Sequence, residues 1–187
     1  MGYLRPRHHM SCVALSLARL RATVDRRDYC VASDAWKSDF KTQLEKYPEL
    51  TAQSSVHGGA APRKCGACFK ANHAVCSLVY LRGTPYNPVN FEPVPDTPHR
   101  KTKDAKPGPT FVLGKQCSRR VSVYHQLFHF AQSLHQACTR KVRQLQDRGI
   151  DTEAGIVEAL MDDLKWIRRQ EGLMNELLAE ADRFRRG

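Results

Sequence analysis

The sequence predicts a mainly α-helical fold with one small β-hairpin, built on a zinc-knuckle or treble-clef-like core flanked by helices. Three observations predict it. Cys65-Gly66-Ala67-Cys68 is a two-thiol knuckle, Phe111 to Cys117 reads as a strand entering a helix that carries a third thiol, and elsewhere apolar residues recur at three- and four-residue steps. Zinc takes four tetrahedral thiolate or imidazole ligands, and a Cys-x-x-Cys turn supplies two sulfurs at a suitable spacing. Cys117 is the third candidate, and His73, Cys76 and His125 compete for the fourth position. Cys117 and His125 are roughly 12 Å apart along a continuous helix, which counts against His125. Two rival readings of the Cys-x-x-Cys pair are buried small apolar residues and a redox couple; against the latter, a strand-like segment rather than a helix follows it.

Along the chain, Met10, Val13, Leu17, Leu20 and Val24 predict an amphipathic helix over 10–26 with arginines outside. Asp34 suits the N-cap of a second helix that stacks Trp36, Phe40 and Leu44 and stops at Pro48. Ser, Gly and Pro make 51–63 a linker into the knuckle. Residues 77–82 read as a strand, 83–88 as a tight turn, and 92–109 as an irregular Pro-, Lys- and Thr-rich loop. A strand resumes at Phe111, Gly114 ends it, and one long helix runs from near Lys115 to a stop at Gly149, with Val121, Tyr124, Phe128, His135, Cys138, Val142 and Leu145 on its stripe. Asp151 would cap the next helix, whose buried stripe is Ile156, Leu160, Leu164 and Ile167. Leu173, Leu177, Ala181 and Phe184 form the stripe of a last one. The organisation is therefore an N-terminal helical part over 10–50, the linker 51–63, a Cys/His zinc core over 64–148, and C-terminal helices of the same domain over 149–187.

The 187 residues carry a formal net charge of +11, which favours acidic partners. Lys and Arg against Asp and Glu number 9 to 6 over residues 1–60, 15 to 4 over 61–148, and 6 to 9 over 149–187, so the excess sits with the cysteine motif. Seven cysteines without a secretory signal point to a reducing compartment, where Cys-x-x-Cys reads as metal or redox chemistry. The run from Met10 to Ala18 is too short to span a membrane. The Arg-rich start also resembles a mitochondrial presequence, a second reading of that helix. His125 and His129, four apart on one helix face, lack a third ligand and read as core packing. Asp162 and Asp163 read as a solvated face. No Gly-rich phosphate loop, nucleophile elbow or suitably placed carboxylate pair occurs.

Cys65-x-x-Cys68-x-x-x-Asn72-His73, Gly83-x-Pro85-Tyr86, Phe111-x-Leu113-Gly114-x-x-Cys117 and Tyr124-His125-x-Leu127-x-His129-Phe130, in that order, resemble the eukaryotic domain of unknown function numbered 4211. That domain lies near the C-terminal end of glutamine/serine-rich and proline-rich nuclear proteins and of a coiled-coil domain-containing protein. Ile156 to Ile167 is similar to its closing helices, and the resemblance spans about 15–185. It implies a nuclear, chromatin-associated setting, a metal site at Cys65, Cys68, His73 and Cys117, and no enzymatic activity. The expectation is a zinc-stabilised module binding nucleic acid or chromatin proteins, with no membrane or small-molecule partner. Its basic face would be Arg63, Lys64, Lys70, Lys101, Lys103, Lys115, Arg119, Arg120, Arg140, Lys141 and Arg143. The alternative is a protein-interaction scaffold docking partners through Leu173, Leu177 and Phe184. A third reading is an enzyme using His125 and His129.

Overall fold

The structure, a computed structural model, describes residues 20–54, 64–70, 75–94 and 108–185, with the backbone alone for Val75 and Cys76. Residues 20–26 are helical (α1) and run into a π-helical turn, Arg27–Val31; the rest of the expected first helix, 10–19, lies outside the described residues. Next come α2 (Ser38–Lys46), β1 (Glu49–Ser54), β2 (Val75–Arg82), β3 (Thr110–Gly114), α3 (Lys115–Phe128), α4 (Phe130–Gln146), α5 (Glu153–Asp162) and α6 (Leu164–Asp182). The strands form one antiparallel sheet in the order β1-β2-β3. The mainly helical class is as the sequence predicts, and the expected hairpin is part of a three-stranded antiparallel sheet; a treble-clef arrangement is not established by these elements.

Several local expectations change. Asp34 caps nothing: residues 34–35 lie in a turn closed by Trp36 N–H on Ser33 C=O (3.0 Å), and the helix starts only at Ser38. The reason is tertiary, because the Lys37 N–H is taken by Ala67 C=O of the knuckle (3.0 Å). Residues 51–54 belong to β1 and not to a linker; 55–63 lie outside the described residues. β1 hides little surface, with Leu50 alone half-buried, so its sequence carries no period-2 signal. It forms by backbone pairing from Glu49↔Arg82 to Ser54↔Ser77. Pro48 ends α2 beside Gly83, whose φ of +90° turns the chain out of β2 at the other end of that ladder. In the expected irregular loop, 92–94 instead fold back: Tyr86 bridges Pro93, and Val94 N–H reaches Pro85 C=O at 2.7 Å.

The long helix is two. It is interrupted at His129 (φ −90°, ψ 6°), the residue whose ring is tied on both nitrogens to other parts of the chain. Gly149 does end α4, with φ +84° and Ile150 N–H returning to Leu145 C=O (3.1 Å). Thr152, not Asp151, caps α5 by accepting from Gly155 N–H. Asp163 is not a solvated face residue. It breaks the next helix in two, caps α6 by accepting from Trp166 N–H (3.0 Å), and pairs with Lys141 (2.5 Å). The Ile156–Ile167 stripe therefore falls on two helices. No residue of α5 is fully buried, and Leu164 is exposed.

α3 is the axis of the core, burying Val121, Val123, Tyr124, His125 and Leu127. Burial on so many sides follows from its position, with the sheet on one flank and the π-turn and α6 on another. Trp36, Phe40, Phe111 and Tyr124 meet edge to face at centroid distances of 4.8–5.7 Å. Val79, Leu81 and Leu113 present the inner face of the sheet to them.

Candidate metal centre

The knuckle is a turn over residues 66–68, held by the Phe69 N–H on Cys65 C=O (2.8 Å) with Phe69 at φ 57°. It is docked against the sheet through Gly66 N–H on Val112 C=O (2.8 Å), where a Cβ on residue 66 would stand 3.2 Å from that oxygen. β3 then ends at Gly114, and the first turn of α3 delivers Cys117 to the same place. The sulfurs of Cys65, Cys68 and Cys117 all lie within 4.8 Å of one another. The Cys117–Cys68 separation is 3.8 Å, close to the edge of roughly 3.8 Å that a tetrahedral centre with ~2.3 Å metal–sulfur bonds requires.

Electrostatics inside the cluster favour one thiolate. Cys65 is held far below the ordinary thiol range, first by the neighbouring Cys117 thiol, then by the nearby N–H groups of Gly114, Cys68 and Ala67. The Gly114 N–H stands 3.5 Å from its sulfur. Cys117 is pushed up by its neighbour Cys65 and by burial. A group of sulfurs that shares protons and is surrounded by N–H donors suits a thiophilic cation, and the three could hold a metal ion.

An orphaned donor supports that fit. Trp36 Nε1 is buried without a hydrogen-bond partner, the one buried side-chain donor so placed among the described residues. Its nearness to Cys117 favours the thiolate form of that sulfur. A metal-bound thiolate is a stronger acceptor than a thiol, so the unmatched N–H has a natural role once an ion binds. Trp36→Phe, which keeps the ring and deletes the N–H, is expected to weaken metal binding roughly tenfold, measured by competition with a chromophoric chelator. The sequence puts Trp36 on a helix stripe and gives no sign of this nearness, which follows from the docking of the turn before α2 on the knuckle through Lys37 N–H and Ala67 C=O.

For the fourth ligand, His73 lies outside the described residues, as does the side chain of Cys76. His125 is spoken for elsewhere. Its Nε2 bonds Tyr47 C=O (2.8 Å), and its ring lies tilted against that of His129 with centroids 4.3 Å apart. His129 Nε2 reaches Leu44 C=O (2.9 Å), and its Nδ1 faces Tyr86 Oη (2.6 Å). With Nε2 protonated on both rings, the pair donates to two carbonyls at the C-terminal end of α2, Leu44 and the C-cap Tyr47. Burial and mutual repulsion push the His125 pKa down to about 4, and burial lowers that of His129. Core packing is therefore the correct reading of this pair.

Of the basic residues, Lys70 and Lys115 line an open cleft of about 440 Å³ over the thiols, and Lys64 and Arg119 are exposed on the same two segments. Arg120 lines it too, but Nη1 is bound to Cys30 and Val31 C=O (3.1 Å each) and the guanidinium lies over Phe184. Arg140, Lys141 and Arg143 sit on α4. Arg63, Lys101 and Lys103 lie outside the described residues. No helix among the described residues is long and apolar enough to cross a membrane.

The family model described as "Domain of unknown function (DUF4211)" matches residues 7–91. An uncharacterized protein of Schizosaccharomyces pombe is 26% identical over 142 residues, covering 74% of this chain and 22% of that protein. The chain thus spans about a fifth of the length of that relative. No solved structure matches it. The family match is shorter than the 15–185 expected from the motifs, yet it is to the same family: residues 7–91 match domain of unknown function 4211, which contributes Cys65 and Cys68, while Cys117 comes from beyond the matched stretch.

Proposed function

We propose that the chain is a non-enzymatic, zinc-stabilised nuclear module that binds chromatin components, nucleic acid foremost, through the cations beside its thiol cluster. The observation that carries this is the convergence of Cys65, Cys68 and Cys117 from two distant segments, with Lys70 and Lys115 on the cleft above them. Zinc is the ion that a thiolate-rich structural site favours. Its role is to tie the knuckle to α3, which fixes Lys64, Lys70, Lys115 and Arg119 relative to one another. The histidines an enzymatic reading would use are engaged in closing α2. The nuclear, chromatin-associated setting is supported by the family resemblance.

Phosphate contacts from these side chains make binding salt-dependent and weakly sequence-selective. Each contact contributes about −0.9 to the slope of log K against log salt for duplex DNA. The triple variant Lys70→Gln, Lys115→Gln, Arg119→Gln is expected to flatten that slope by about 3, read by fluorescence anisotropy of a short duplex between about 50 and 200 mM salt. Absence of binding at the low-salt end, or identical slopes for the parent and the variant, would overturn the reading.

A further inference from the structure

A second concavity, independent of the thiol cluster and of the function proposed above, lies between α4 and α6. It is an open groove of about 490 Å³. Its apolar wall is Phe130, Leu134 and Ala137 on α4, facing Trp166 and Leu173 on α6. Steps of four, three and seven align these side chains in rows along the two helices. Leu173 is 50% exposed although Leu177 and Ala181, the next positions on its stripe, are buried. The sequence assigned Leu173, Leu177 and Phe184 to one docking face. Of these, Leu177 and Phe184 pack into the core, and Leu173 alone is left to the groove.

The groove is also one-signed. Arg140, Lys141 and Arg169 line it, and no carboxylate does. Lys141 is paired with Asp163, whereas Arg140 and Arg169 have no ion-pair partner among the described residues. An apolar floor with unpaired cations at the rim selects its ligand by chemistry. A nucleic-acid backbone could satisfy the arginines but offers no apolar row to cover Leu134, Ala137 and Leu173. An amphipathic helix with acidic flanks does both, laying i, i+4, i+7 apolar residues on the floor and carboxylates against the arginines. From Phe130 to Arg140 the α4 wall is about 15 Å long, which fits roughly three helical turns.

We propose that the α4–α6 groove docks an acidic amphipathic helix of a partner protein. The test uses the full chain and a fluorescein-labelled synthetic peptide of about sixteen residues, long enough to hold helix, with Leu or Phe at i, i+4, i+7 and i+11 and Glu between them. A scrambled peptide of equal composition and a short DNA duplex serve as controls. The helical peptide is expected to bind, the scrambled one at least about tenfold more weakly, and Arg140→Glu with Arg169→Glu to weaken the helical peptide by a similar factor. Both arginines are exposed, so circular dichroism of this double variant should be unchanged. Leu173→Ala, which removes no charge, is expected to weaken the peptide several-fold, whereas Lys70→Gln with Lys115→Gln should leave it unaffected. No binding, equal binding of the scrambled peptide, or groove variants that lose DNA and not peptide would each overturn the proposal. Because the function proposed above is tested at Lys70, Lys115 and Arg119, the two can fail separately.

Discussion

Stripping zinc from the purified chain is expected to lower its unfolding free energy by about 4 kcal/mol relative to protein held at free zinc a thousandfold above Kd. That ratio sets the magnitude, and binding is coupled to folding because the three candidate ligands come from separate parts of the fold, so the unfolded chain offers no formed site. Cys65 and Cys68 lie on a knuckle whose main chain is held by Lys37 N–H on Ala67 C=O and by Gly66 N–H on Val112 C=O, while Cys117 is on α3. On the zinc reading, loss of the ion would untie the knuckle from α3 and leave the buried Trp36 Nε1 with no strong acceptor. Elemental analysis is expected to give one zinc per chain, and Cys65→Ser and Cys117→Ser to abolish it together with the stabilisation. Cys138→Ser, half-buried on α4 and outside the cluster, should do neither. Equal melting temperatures with and without chelator, in the parent and in Cys65→Ser alike, would sink the idea.

Acidification is expected to remove about 3 kcal/mol between pH ~6.5 and ~4 through His125 alone, from the 1.36 kcal/mol that each unit of pKa difference carries. The sign follows from the direction of the shift. Burial and the neighbouring His129 put the folded-state pKa at about 4, below the ordinary value of 6.5. Between those limits the unfolded chain binds the proton and the native one does not. The stabilisation is therefore complete above about pH 6.5 and lost as pH falls through the folded value. His129 adds in the same direction through its burial, opposed by its bond to Leu44 C=O and then by the Glu45 carboxylate. Thiolate protonation also releases metal in acid, so the diagnostic is a comparison. His125→Gln retains a donor toward Tyr47 C=O but cannot titrate, and its urea-unfolding free energy should fall less steeply with acid than that of the parent. Parallel curves for the two proteins would exclude His125 as the source.

The three thiols of the candidate site are legible in the sequence. Cys65, Cys68 and Cys117 stand out because a Cys-x-x-Cys turn and a cysteine just inside a helix are local patterns set by ligand chemistry. The strand-to-helix passage at Gly114 was equally local. β1 was not legible, because an edge strand exposed on both faces needs only backbone partners and leaves no hydrophobic alternation. The breaks at His129 and Asp163 escaped for a related reason. A three- and four-residue rhythm continues across them, and the side-chain bonds that mark them run to Leu44, Tyr86 and Lys141 on other elements.

The sequence by itself determined the helical class, the three thiols, the basic excess of the central segment and the stop at Gly149. These depend on residue type and spacing along a few turns of chain. The tertiary structure alone decided which histidines close α2, which arginine is tied inward, that the Trp36 N–H is buried without a partner, and that Leu173 faces a groove while Leu177 is buried. Each of these is a contact between residues far apart in sequence, set by how whole elements pack, and no local periodicity encodes it.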